Sequence, residues 1–310
     1  MANKEVVVVT GASAGVGRAV ARRFAQDGAQ IGLIARSREG LDAARREVEQ
    51  AGGRALVLPC DVADWDGVES AATAVEEALG PIDVWINNAM TTVFAPFKDI
   101  DPDEFKRATE VTYLGTVWGT KSAMKRMQPR NRGSIVLVGS ALAYRGIPLQ
   151  APYCGAKHAI KGFFESVRTE LMHDGSNVRI SMVQLPGLNT PQFEHCRSKM
   201  PNLPQPMPPF YEPEVAADAI HWAAHHDRRE LFVGGPTFKT IWGEKLAPWL
   251  VDRVLAKQGY SGQQTDQPVN GDRPDNLFEP VPGDPGAHGP FDDRARRRSL
   301  ITRVSMLRPG

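Results

Sequence analysis

The chain has 310 residues, 42% apolar and 24% charged, and a formal charge of +1. That length allows one large domain or two smaller ones with a sizeable core, in an ordinary soluble composition. The near-zero charge excludes a global attraction to nucleic acid or anionic lipid. No run approaches the roughly eighteen apolar residues of a transmembrane helix.

The opening MANKEVVVVTGA has no long apolar run after its basic residue and no small-residue cleavage site, so no signal peptide is expected. Cys60, Cys154 and Cys196 are odd in number and widely spaced. They read as reduced thiols of a cytoplasmic protein, not as a disulfide frame.

Along the chain, short β-branched runs alternate with helical patterns. Val6–Val9 reads as a buried strand, and TGASAGVG (Thr10–Gly17) follows it directly and opens a helix. Glycines there let the backbone approach a pyrophosphate, and a helix N-terminus supplies amide donors and a favourable dipole. Thr10, Gly11, Ser13, Ala14, Gly15, Val16 and Gly17 are therefore candidate cofactor-binding residues. Val16, Val20 and Phe24 give the helix its apolar face, and Gly28 is placed to end it.

Ile31–Ile34 is the second strand, and LIARSR ends it. A carboxylate here would bond the adenosine ribose of NAD. The chain has Ala35 and then Arg36, whose guanidinium can pair with a 2′-phosphate, so NADP(H) is favoured over NAD(H). The competing reading is that Arg36 only starts a surface helix.

Ala55–Leu58, Val84–Ile86, Ile135–Val138, Ile180–Leu185 and Leu231–Val233 read as further buried strands of a parallel sheet. In YCGAK, Tyr153 and Lys157 lie four residues apart and share one helix face. Ala159, Ile160, Phe163, Phe164, Val167 and Leu171 continue that helix with an apolar stripe. The repeated βα units predict an α/β fold with a doubly wound, Rossmann-type sheet.

Two regions break the alternation. The Pro-rich stretch 189–214 contains Phe193, Phe210 and Tyr211 and is read as a lid-like insertion in preference to a disordered segment. The region from about Gly259 to Gly310 is dense in Pro, Gly, Asp and Asn, and its RARRR run reads as part of a solvated tail. Between them, Ile241–Ala256 reads as an amphipathic helix packed on the domain, with a membrane-surface or partner helix as the minority reading. HWAAHH (His221–His226) offers an i,i+4 histidine pair without a third ligand, so no metal site is expected.

Taken together, TGASAGVG, CDV (Cys60–Val62), NNA (Asn87–Ala89), Ser140, YCGAK and PGLNT (Pro186–Thr190) resemble the short-chain dehydrogenase/reductase family over about residues 1–240. The resemblance implies seven strands in the order 3-2-1-4-5-6-7 and an extended NAD(P)(H). It makes residues 1–258 a single oxidoreductase domain, followed by a Pro/Gly-rich extension over 259–310. Asp61 and Val62 would border the adenine, Asn87 and Ala89 the ribose side, and Pro186, Gly187 and Thr190 the nicotinamide end. Taken singly, Asp61 could be a strand-end turn residue and Asn87 a tie between strands. Tyr153 would pass a proton to or from the substrate, Ser140 would hold its oxygen, and Lys157 would bond the nicotinamide ribose and tune the phenol. Two departures stand out: Thr112 replaces the asparagine of a proton relay, and Met90 replaces a glycine.

A free phenol has a pKa of about 10, and lowering it by two or three units needs about 3–4 kcal/mol. One ammonium at ~4 Å supplies about 4 kcal/mol at an effective dielectric of 20, so Lys157 is sufficient in magnitude. The expectation is an NADP(H)-dependent oxidoreductase exchanging hydride with a carbonyl or secondary alcohol of an apolar small molecule. Its rival is a catalytically silent NADP(H)-binding scaffold or redox sensor. The resemblance also implies a homodimer or homotetramer.

Overall fold

The computed structural model describes residues 4–269 and 273–307. Strands β1 (Val6–Thr10), β2 (Gln30–Ala35), β3 (Arg54–Pro59) and β4 (Val84–Asn87) come first, followed by the two-residue β5 (Val93–Phe94). Next are β6 (Gly133–Ser140), β7 (Val178–Leu185), the short β8 (Arg197–Ser198) and β9 (Asn202–Pro204), then β10 (Glu230–Phe232) and β11 (Gln264–Pro268). Seven of them form one parallel sheet in the order β10-β7-β6-β4-β1-β2-β3. Numbered within the sheet alone, that is the expected 3-2-1-4-5-6-7, and all seven predicted strands lie in it.

The helices are α1 (Gly15–Ala25), α2 (Arg38–Gln50), α3 (Trp65–Leu79), α4 (Pro102–Thr109), α5 (Gly115–Met127) and α6 (Ala151–His173). After them come the single turn α7 (Gln192–His195), α8 (Pro213–His225), α9 (Gly234–Leu246), α10 (Pro248–Gln258) and α11 (Leu300–Leu307). The run VVVVT explains why β1 sits mid-sheet. Val7 and Val9 pack with Val20, Phe24, Leu41 and Ile220 of α1, α2 and α8 on one face. Val6 and Val8 pack with Val68, Val75, Ile160 and Phe164 of α3 and α6 on the other. A strand covered on both faces has no polar side to alternate with, hence its unbroken apolar run. Phe24 and Phe164 are fully buried, each contributing about 1.5–3 kcal/mol over exposure.

Two readings of the C-terminal third are corrected. Ile241–Ala256 is not one helix: Ala247–Pro248 divides it between α9 and α10, since proline cannot continue the backbone ladder. α9 buries Thr237 and Ile241, whereas α10 buries none of its residues.

The described residues after Gly259 pack on the domain and do not form a detached tail, although Arg294, Arg296, Arg297 and Arg298 of the basic run are solvent-exposed as expected. β11 pairs antiparallel with β9, so it clasps the 189–214 insertion. Leu277, Ala287, Phe291 and Thr302 are buried, and the Arg294 guanidinium lies over the rings of Phe210 and Phe291. Main-chain bonds join Arg296 to Phe210 and Glu212. The histidine pair is occupied by carboxylates, His221 with Asp27 at 2.7 Å and His225 with Glu5 at 3.1 Å. No helix among the described residues is long and apolar enough to cross a membrane, and the three cysteines are free thiols.

Candidate active site

Parallel strands deliver their C-terminal ends to one edge of the sheet, where α/β folds bind ligands. Here that edge carries Thr10 of β1 and Asn87 of β4 and, three residues beyond Leu137, the β6 partner of Asn87, Ser140 beside Leu185 of β7. The glycine turn closes tightly. Gly11 has φ of +67°, and a Cβ there would lie 2.8 Å from the Ala89 Cα; at Gly17 it would lie 2.2 Å from the Gly11 carbonyl oxygen. Side chains would fill this cradle, so its glycines fit a turn that brings the amides of α1 against a pyrophosphate.

A cavity of about 210 Å³ opens beside the turn. Its wall includes Gly11, Ser13, Ala14, Gly15, Val16, Arg36, Asp61, Val62, Ala89 and Thr190 of the expected cofactor residues, together with Met90. Thr10, Gly17, Asn87, Pro186 and Gly187 are not in that wall. The Thr10 hydroxyl accepts from the amides of Asn88 (2.9 Å) and Ala89 (3.1 Å) and donates to the Ile86 carbonyl (3.3 Å), fastening the loop after β4 to β1. Asn87 accepts from the Trp85 indole (3.0 Å) and donates to the Thr120 hydroxyl (3.1 Å). Its amide thus ties β4 to α5, and its neighbour Asn88 faces the cleft instead. The Gly187 carbonyl accepts from the Tyr211 amide at 3.1 Å.

Asp61 accepts from the Ala63 amide at 3.0 Å and from the Arg107 guanidinium. Arg36 reaches the cleft, but its guanidinium donates to the carbonyls of Phe278 (2.6 Å), Leu277 (3.4 Å) and Asn276. Burial pulls Arg36 below its ordinary pKa, with the Asp61 charge opposing. Sequence reasoning missed Asn88, Gln192, His195 and the extension residues Asn276, Pro280, Val281 and Pro285 in the wall. NNA could have suggested Asn88; nothing local marks the others.

Ser140, Tyr153 and Lys157 lie outside this cavity, along the same strand edge. The strand bearing Ser140 pairs it with Leu185 of β7. Before α6, Leu149 takes φ of +70°, a conformation unfavourable for a branched side chain. Its burial against Phe94 and Cys196, and the 3.0 Å bond from the Ala95 amide to its carbonyl, offset that strain and fix the start of α6. The Ser140 hydroxyl accepts from the Leu142 amide (3.1 Å) and lies near enough to the Tyr153 phenol to favour its ionised form. Lys157 is buried, donates to the Val138 carbonyl at 2.6 Å, and sits 5.4 Å from the Tyr153 ring centroid.

The lowered phenol pKa expected from the sequence is not what this arrangement gives. Burial pushes Tyr153 up to about 12, the neighbouring Ser140 hydroxyl opposing, while burial pulls Lys157 down to about 8. The ammonium lies over the ring face and spends a proton on Val138, so desolvation of the phenol prevails. Thr112 also differs from the relay expectation. Its hydroxyl donates to the Thr91 carbonyl (2.8 Å) and accepts from the Thr91 amide (3.1 Å). A hydroxyl has one donor, and this one is already engaged.

The family profile described as short chain dehydrogenase matches residues 5–201. An uncharacterized oxidoreductase, YxnA, of Bacillus subtilis (strain 168) is 31% identical over 89% of this chain and 78% of its own length. The 3-dehydrosphinganine reductase of Danio rerio is 34% identical over 60% of this chain and 57% of its own. Among solved structures, a metagenomic short-chain oxidoreductase in complex with NADP matches with a TM-score of 0.62 and 29% identity, covering 74% of this chain and 96% of that one. An NAD+-bound xylitol dehydrogenase matches with a TM-score of 0.57 and 30% identity, over 61% and 72%. With the glycine cradle, the strand order and these matches in agreement, the chain belongs to the short-chain dehydrogenase/reductase family.

Proposed function

We propose that the chain is an NADP(H)-dependent oxidoreductase acting on a carbonyl or secondary alcohol of a small apolar molecule, with carbonyl reduction the favoured direction. The observation that carries the reading is the convergence of Ser140, Tyr153 and Lys157 on the strand edge that also holds the glycine cradle. The family's solved structures include both NADP and NAD+ complexes. NADP(H) is favoured by Arg36, a desolvated cation in the cleft wall next to Ala35, which stands where an NAD enzyme would carry a carboxylate. A bound nicotinamide would supply or accept the hydride. Ser140 would hold the substrate oxygen, and Tyr153 would give it a proton in reduction or remove one in oxidation. A charged Lys157, 5.4 Å from the Tyr153 ring centroid, would favour the phenolate form, against the larger opposing effect of the phenol's burial. The Lys157 pKa of about 8 leaves it largely protonated at neutral pH.

The apolar substrate class rests on loop composition and on Met90 and Val111 in the wall; Phe210 and Tyr211 are buried and do not contribute. The silent-scaffold rival gains nothing from relatives that bear oxidoreductase and reductase names. The test is a panel of ketones and aldehydes with NADPH or NADH, followed by nicotinamide absorbance. Turnover should favour NADPH by about tenfold or more in kcat/KM, the worth of one charge-assisted pair. Tight NADPH binding without turnover of any panel member would instead support the scaffold.

A further inference from the structure

The C-terminal extension crosses the cofactor cleft and is tied down on both banks. On one bank the Gly15 amide donates to the Gly286 carbonyl at 3.0 Å, the Gly283 amide donates to the Glu39 carboxylate at 2.6 Å, and Arg18 pairs with Asp284. On the other, the Asn276 amide donates to the His195 carbonyl (2.8 Å), and the Thr91 hydroxyl to the Asn276 side chain (3.1 Å). Between the banks, Pro280, Val281 and Pro285 roof the cavity.

Two donors that the extension engages, Arg36 and the Gly15 amide, have another claimant. Arg36, assigned above to the 2′-phosphate, is bonded to three extension carbonyls. The Gly15 amide, at the helix terminus assigned to the pyrophosphate, is bonded to a fourth. The space left beneath, about 210 Å³, is less than the roughly 300–1,000 Å³ of small-molecule and cofactor sites.

We propose that residues 276–286 are an autoinhibitory strap whose main-chain carbonyls engage the phosphate-binding donors of the cleft, and which the dinucleotide must displace to bind. The proposal rests on the cofactor reading above. Neutral carbonyls are weaker partners for a guanidinium than a phosphate dianion, so the exchange runs toward the cofactor. A strap closed in about 90–99% of molecules lowers apparent cofactor affinity about 10–100-fold.

The test combines hydrogen exchange of the full-length wild type, with and without NADPH, and stopped-flow NADPH binding to a Glu39→Ala/Asp284→Ala variant. These two side chains hold the strap but are outside the proposed phosphate contacts. NADPH is expected to speed amide exchange across 276–286, and the variant to bind NADPH about tenfold faster than wild type. Slower exchange of the strap with NADPH bound would overturn the proposal, because the strap would then be a cover. So would a variant that associates at the wild-type rate and only dissociates faster. The wild-type exchange result stands even if the variant folds poorly. If neither protein binds NADPH or NADH, the cofactor reading fails and the strap proposal falls with it; binding without a change in strap exchange sinks the strap alone.

Discussion

Tyr153→Phe is expected to lower kcat for carbonyl reduction by about 10²–10⁴-fold, the usual worth of a positioned proton donor. NADPH affinity should change little, because the lost hydroxyl lies outside the nucleotide cavity. The ring remains, so the packing over Lys157 is kept. The wild type should show a matching pH signature. Lys157 has its pKa pulled down to about 8 by burial, so it carries its charge below that pH and loses it above. Support for the phenolate disappears with that charge. The kcat/KM for reduction should therefore fall as pH rises through about 8, since this quantity reports groups of the free enzyme. A profile flat to well above pH 8, or a Phe variant with near-wild-type turnover, would remove Tyr153 and Lys157 from the chemistry.

Arg36→Asp is expected to cut kcat/KM with NADPH by about 100-fold or more while leaving NADH equal or better. Removing one partner of a desolvated charge pair costs about 2–5 kcal/mol, and the new carboxylate repels a 2′-phosphate. The same carboxylate can accept from the adenosine ribose hydroxyls of NADH. The variant also loses the bonds to the Asn276, Leu277 and Phe278 carbonyls. Those bonds are common to both cofactors, so their loss shifts both affinities together and leaves the ratio to report the phosphate. An unchanged NADPH/NADH ratio would count against Arg36 as the selecting residue.

The sheet was legible because its central strands are buried on both faces. VVVVT, IGLIA and IVLVGS carry their own address in unbroken apolar runs, and Gly28, with φ of +79°, closes α1 where its position suggested. The glycine turn was legible because only glycine tolerates the contacts at Gly11 and Gly17. The i,i+4 spacing likewise set Tyr153 and Lys157 on one face. It could not say which way the ammonium points, and that depends on a carbonyl from a different element, Val138.

Asn87, Thr10 and Thr112 show a related limit. Motif position places them at the cleft, but their polar atoms are satisfied by Trp85, Thr120, Asn88 and Thr91. Such bonds depend on tertiary neighbours that no local pattern announces. The extension was the largest miss. It docks mainly through main-chain groups and scattered buried residues such as Leu277 and Phe291, without a period of 2 or 3.6 to reveal it. Its Pro and Gly content resembles that of a flexible tail, although the same residues suit an irregular strap that follows a surface.

The central claim is that this strand edge moves a hydride between a nicotinamide and a carbon while Tyr153 handles the proton. Its most direct test uses NADPH carrying deuterium at both C4 positions and a ketone from the panel, with mass analysis of the alcohol formed. The account predicts that wild type places the label on the carbinol carbon and that Tyr153→Phe forms little labelled alcohol in the same time. Alcohol formed without the label, or equal labelling by both proteins, would contradict it.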